Sequence, residues 1–164
     1  MIQRIQTIYL LLITLITGLL IFVNPSFIEI QGYGLWTNNE VGFINLHFKT
    51  ASWFIGDELV DTSALRLTTY TLAVICGMAF ISIFLFKNRR LQILLTAFNY
   101  IFILVLYILM VYYGFKYSGQ VDQEVQVDIA IGLFFPLFLP VFNYMALRRI
   151  NYDEVLVRST DRLR

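Results

Sequence analysis

The chain has 164 residues, of which 59% are hydrophobic, 16% aromatic and only 14% charged, with a formal net charge of +1. Soluble domains carry about 25% charged residues. Here a mean hydropathy of +0.72 is gathered into uncharged blocks rather than periodic stripes, which excludes an ordinary soluble fold, because so short a chain cannot bury several all-round apolar helices.

The first block follows Arg4, and residues 5–23 are expected to form a first span. Its start resembles a signal peptide, a basic residue ahead of an apolar core, but no Ala-x-Ala-like cleavage site follows, so an uncleaved signal anchor is expected. Asn24-Pro25-Ser26 ends it, since proline lacks an amide hydrogen and restricts the residue before it.

Residues 24–66 change period. In Ile28-Glu29-Ile30-Gln31 and again in Ile44-Asn45-Leu46-His47-Phe48-Lys49, apolar and polar residues alternate in twos, which predicts strands over 28–36 and 41–49 with a turn at 37–40. A third strand is expected over 50–55, and 57–66 reads as a short surface helix. An isolated hairpin is marginal in water, so this sheet must lie on something, either the helix ends or a partner protein.

Two uncharged runs follow, residues 67–86 and 91–113, separated by Lys87-Asn88-Arg89-Arg90. At about 1.5 Å per residue each reaches some 30 Å or more as a helix, enough to cross the hydrocarbon of a bilayer. The hydroxyls of Thr68, Thr69, Thr71 and Ser82 can return to the backbone, and Gly77 and Ala79 are small enough for a close helix contact. Asn99 needs an amide partner on a neighbouring helix. Tyr112 and Tyr113 fit an aromatic belt at the headgroup level.

Residues 114–128 read as a polar, acidic connection, and the fourth span is expected over 125–147 with Pro136 and Pro140 inside it, kinking or widening the helix. The tail from Arg148 is the most charged stretch. Arg149 with Asp153 and Glu154 with Arg158 stand four apart, consistent with a helix running on from the fourth span to lie near lipid headgroups or dock on the 87–90 turn.

Four spans place both termini and the 87–90 turn on one side. That side holds nine basic residues (Arg4, Lys87, Arg89, Arg90, Arg148, Arg149, Arg158, Arg162, Arg164) against Asp153, Glu154 and Asp161, a net +6. The other holds Lys49, Arg66 and Lys116 against eight acids, a net −5. The positive-inside rule therefore predicts cytoplasmic termini. Lys87, Arg89, Arg90, Arg148 and Arg149 converge at one membrane level, where topology accounts for them and anionic lipid would be attracted.

No charged residue falls near the middle of a span, where a proton relay, ion path or catalytic centre is usually marked by one. His47 stands alone on the polar side of a strand, and Cys76, the only cysteine, has no basic neighbour and can form no intrachain disulfide. No Walker loop, zinc-protease or nucleophile-elbow motif occurs. Asp57 and Asp61 would share a helical face, better read as solvated than as a calcium site. No metal or cofactor is expected, and no nucleic-acid partner, because the tail alternates acids with arginines.

The opening Met1-Ile2-Gln3-Arg4-Ile5-Gln6-Thr7 and the ending Asp153-Glu154-Val155-Leu156-Val157-Arg158-Ser159-Thr160-Asp161-Arg162-Leu163-Arg164 resemble a family of small four-span membrane proteins of the Bacteroidota, domain of unknown function 4293. The resemblance covers essentially the whole chain and implies an inner-membrane location without implying a reaction. It makes Asp153, Glu154, Arg158, Ser159, Asp161 and Arg162 the candidates for a cytoplasmic contact, with Lys87, Arg89 and Arg90 as the turn on which the tail would dock. Four spans with a strand-rich first outer loop, and Gly34-Leu35-Trp36 within it, also resemble the claudin-type layout, although the claudin cysteine pair is absent.

The expected fold is thus an all-α membrane protein, a four-transmembrane-helix bundle with a small antiparallel β-sheet in the first extracytoplasmic loop. The expected role is a non-enzymatic subunit, scaffold or adaptor, in contact with lipid and with a protein partner or a second copy of itself. The alternative is a small transporter or lipid-handling protein, drawn from the two prolines and from Asn99 and Asn143 as polar lining.

Overall fold

Buried positions in every long helix recur at alternating steps of four and three. The structure, a computed structural model, describes residues 5–33, 41–55, 58–119 and 123–161. Helix α1 (Ile5–Val23) buries Gln6, Leu10, Ile13, Thr17 and Leu20. Helix α2 (Arg66–Phe84) buries Thr68, Thr71, Leu72, Ile75, Ala79 and Ser82. Helix α3 (Arg89–Ser118) buries Gln92, Thr96, Asn99, Ile103, Leu106, Met110, Tyr113 and Tyr117. Helix α4 (Phe134–Asp161) buries Pro136, Leu139, Asn143, Ala146 and Ile150. This is the seam spacing of helices packed nearly parallel or antiparallel, and they close a bundle in which α1 and α3 each pack against both α2 and α4.

The seam is more polar than the outside. Gln6, Thr17, Thr68, Ser82, Gln92, Thr96, Asn99 and Asn143 are buried, whereas Leu15, Phe22, Leu104, Ile108 and Phe138 are exposed. No more than 33% of the most apolar stretch of any of the four helices is buried. Four helices are long and apolar enough to cross a membrane: Ile5–Val23, Arg66–Phe84, Arg89–Ser118 and Ile131–Val155.

Between α1 and α2 run β1 (Ser26–Tyr33), β2 (Val41–His47), β3 (Thr50–Ile55) and β4 (Glu58–Ala64), and between α3 and α4 runs β5 (Gln123–Ile129). They form one antiparallel sheet in the order β4-β3-β2-β1-β5. A cross-strand row joins Ile129, Ile28, Leu46, Ala51 and Ser63, and a parallel row joins Val127, Ile30, Ile44, Trp53 and Asp61. The sheet lies on the helix ends. The Trp53 ring meets Tyr117 of α3 edge-on at 5.4 Å, and the Ser63 hydroxyl lies 2.9 Å from that of Tyr117.

Several expectations are corrected. Residues 58–64 are a strand, because they carry no apolar stripe for a helix to bury and instead complete the ladder of β3. The pairing of Asp57 with Asp61 on one helical face falls with that helix; Asp57 lies outside the described residues, and Asp61 Oδ1 accepts from the Thr62 amide at 2.7 Å. The fourth helix does not begin near Val125, because 123–129 pair with β1 as β5 and a 3-10 turn, Ile131–Leu133, leads into α4. The sheet is therefore not confined to the first loop. Pro136 stands in the first turn of α4, where a missing amide hydrogen removes no intrahelical bond, so Pro140 alone interrupts the helix. Gly77 marks no close contact, since a Cβ there would meet nothing within 4 Å. Tyr113 is buried against Tyr117, whereas Tyr112 is exposed. Thr69 and Thr71 return their hydroxyls to Leu65 and Leu67 carbonyls, but Thr68 and Ser82 do not. The 37–40 turn and Gly34-Leu35-Trp36 lie outside the described residues.

Candidate functional site

Asn88 separates a 3-10 turn, Leu85–Lys87, from α3, which makes Arg89 the first residue of that helix and points it across the bundle end. Its guanidinium Nη1 donates to the backbone carbonyl of Asp153. That carbonyl has a second lone pair beyond the one its own helix uses. Since α4 is continuous to Asp161, the tail is held beside the basic turn as an extension of the last helix. Arg90 is exposed, and Asp153 and Glu154 are half-buried. Of the candidate residues, the structure thus brings Arg89 and Asp153 together and leaves Arg90 apart. The side chains of Lys87, Arg158, Ser159 and Asp161, and all of Arg162, lie outside the described residues.

Inside the bundle, hydrogen-bond directions along α3 and α4 are set by backbone carbonyls. Gln92 Nε2 donates to Ser82 O at 2.9 Å, and Asn143 Nδ2 donates to Thr96 O at 3.0 Å. The Asn143 oxygen is thereby turned toward Asn99, whose amide nitrogen lies 3.5 Å away. Asn99 thus has a neighbouring-helix partner for its amide nitrogen, whereas its Oδ1 is buried without a hydrogen-bond partner among the described residues. Tyr107 donates to the Pro136 carbonyl at 2.7 Å, and Tyr100 donates to that of Pro140 at 3.3 Å. The α3–α4 seam is filled by these groups together with Ile103, Leu106, Leu139 and Ala146.

At the opposite end, Asn24 joins α1 to the sheet. It adopts a left-handed φ of 51°, a conformation that asparagine tolerates better than most residues. Its Oδ1 accepts from the Lys49 amide at 2.8 Å, its Nδ2 donates to Thr50 Oγ1 at 3.3 Å, and its carbonyl lies 2.9 Å from His47 Nδ1. A carbonyl only accepts, so that ring nitrogen carries the proton, and His47 has a structural partner. Cys76 is half-buried, its thiol 3.8 Å from the Thr14 carbonyl of α1. Glu58, Asp61 and Asp128 are exposed at the sheet end, with Arg90, Arg148 and Arg149 exposed at the other. No group of three or more metal-ligating side chains occurs among the described residues.

A feature missed in the sequence is a groove of about 700 Å³ between Tyr9 of α1 and Val141, Tyr144, Met145, Arg148, Arg149, Asn151, Tyr152 and Val155 of α4. The signal for it was the pair Arg148-Arg149 beside exposed aromatics, but only the packing of α1 on α4 brings Tyr9 there.

A polar seam, apolar outer faces and a sheet across one end define a class: four-helix proteins built like multi-pass membrane bundles. The chain belongs to the family described as domain of unknown function DUF4293, whose model matches residues 2–163. No functionally curated protein matches it in sequence.

Proposed function

We propose that the chain is a multi-pass protein of the bacterial inner membrane, with Arg89, Arg148 and the termini in the cytoplasm and the sheet outside. In this reading it works without catalysis of its own, as a subunit, scaffold or adaptor. Membrane residence is supported by the inverted polarity of the bundle, because helices that expose leucine and phenylalanine while burying amides are suited to lipid. Orientation is supported by the charge census.

The observation that carries the adaptor reading is β4, the last strand of the sheet. Among the described residues no strand pairs with the outer side of its backbone, and Leu59 and Val60 are 56% and 46% exposed. A free edge bearing exposed apolar side chains is the form in which a sheet accepts a strand from a partner. The tail, held in place through Arg89, offers a second contact surface on the cytoplasmic side. The transporter reading depended on a polar passage between α3 and α4, and that seam is packed with the Asn99–Asn143 pair and the two tyrosines.

Affinity purification of the full-length protein from gently solubilised membranes tests this. A stoichiometric protein partner is expected, reduced by L59K/V60K on the edge strand or by R158A/R162A on the tail. Repeated recovery of the protein alone, or a partner retained by both variants, overturns the reading.

A further inference from the structure

The groove between α1 and α4 combines two chemistries along its length. Val141, Tyr144 and Met145 are 51%, 56% and 41% exposed and belong to the apolar part of α4. About one to two helical turns further on, roughly 5–12 Å along the axis, stand Arg148 and Arg149, both exposed, with Asn151 and Tyr152 beside them. Two guanidinium groups, three phenol hydroxyls and an amide therefore supply hydrogen-bond donors, and no acidic side chain is among the described residues that line the groove. Asp153 is not part of the lining, and its carbonyl is engaged by Arg89 of α3.

We infer that this groove is a binding site for a single anionic phospholipid, its phosphate held by Arg148 and Arg149 and one of its acyl chains laid over Val141, Tyr144 and Met145. A guanidinium pair suits phosphate because each presents a fork of donors to tetrahedral oxygens. The volume lies within the range of small-molecule sites. The apolar half distinguishes a lipid from a soluble phosphate, since it continues the exposed face of a helix whose outer surface is apolar. The tyrosines suit the same level, where one end of the ring is apolar and the other wet. The inference rests on the membrane residence proposed above, and not on the adaptor role.

Native mass spectrometry of the full-length protein, released from detergent in the presence of equal phosphatidylglycerol and phosphatidylcholine, reads the site directly. Retention of phosphatidylglycerol is expected to exceed that of phosphatidylcholine by about tenfold or more, given two arginines at the membrane surface. R148Q/R149Q abolishes that preference. R148Q alone lowers it, whereas R90Q, the same single-charge change at the same end but outside the groove, leaves it intact, and Met145→Trp, which fills the apolar half without touching charge, lowers it. Equal retention of the two lipids overturns the inference in favour of nonspecific annular lipid, equal loss in R90Q overturns it in favour of diffuse attraction, and displacement by millimolar inorganic phosphate overturns it in favour of a soluble anion. Circular dichroism and gel filtration establish that each variant is folded; if R148Q/R149Q is not, the R90Q, Met145→Trp and phosphate arms decide. Release of the wild-type protein from membranes by alkaline carbonate would sink the membrane reading itself, whereas a membrane-bound protein without headgroup preference sinks only the groove.

Discussion

Pro140 has no amide hydrogen, so the carbonyl four residues earlier, that of Pro136, loses its helical donor. Tyr107 supplies the missing bond from α3 at 2.7 Å, converting a defect in one helix into a tie between two. Leaving that buried acceptor unpaired costs about 1 kcal/mol, the low end of the range in water and near the values found between helices in membranes. Tyr107→Phe is accordingly expected to destabilise the bundle by about that amount. In a Pro140→Ala background, where residue 140 can again donate to Pro136, the same change should cost about half as much or less. Reversible unfolding in mixed micelles measures all four proteins of the cycle, and an equal cost in both backgrounds would show that Tyr107 does not serve the proline. Asn24 is a similar case at the sheet end, one side chain and its carbonyl meeting His47, Lys49 and Thr50. Its place after an apolar run reads as a stop signal, and nothing in the sequence reveals that it also fastens the β2–β3 turn.

Among elements, β5 and the 3-10 turn after it decide how α4 enters the bundle. Val125, Val127 and Ile129 alternate with Gln126 and Asp128, a strand signature that is masked in sequence by the apolar run it abuts. The strand pairs with β1, and the Ala130 amide donates to the Phe27 carbonyl at 3.3 Å. This brings Gly132 against the start of β1, where an added Cβ would stand 2.2 Å from the Ser26 carbonyl oxygen and 3.3 Å from Pro25 Cβ. Backbone cannot yield as a flexible side chain does, so Gly132→Ala should destabilise by about 2 kcal/mol or more, in line with overpacking of a filled interior. Gly77→Ala, with nothing within 4 Å of the new methyl, should be neutral or slightly stabilising, since alanine is the better helix former. Thermal unfolding in one detergent compares the two, and equal midpoints would contradict the close approach. Strand β4 illustrates the converse. The break in the strand pattern at residues 56–58 suggested a surface helix over 57–66, but a segment with no apolar stripe gains little from helical packing and more from completing a sheet.

For the whole molecule, the bundle separates net charge by its ends, with acids in excess at the sheet and arginines in excess at the far end. If positive residues stay inside, a cysteine placed at Asp61 should react from the periplasmic side with a membrane-impermeant maleimide, and one placed at Arg90 should react only after the membrane is opened. Both are built in a Cys76→Ala background, which removes the only native thiol. The reverse pattern would invert the proposed topology, and labelling of both sites in intact cells would exclude four complete crossings.

By itself, the sequence determined the number and order of the apolar helices, the approximate limits of the first three, and the strands β1, β2 and β3, because these depend on local quantities: run length, charge exclusion and period-two alternation. It also determined which ends carry which charge. Only the tertiary structure decided which face of each helix is inside, since a helix that is apolar all round has no local marker of its buried seam except a few polar residues such as Gln92, Asn99 and Asn143. The same holds for the pairing of β5 with β1, for the partnership of Tyr107 with Pro136, for the reach of Arg89 to Asp153, and for the groove that sets Tyr9 beside Arg148. Each joins residues distant in the chain, so each is set by packing and hydrogen-bond satisfaction across elements rather than by the preferences of any one of them.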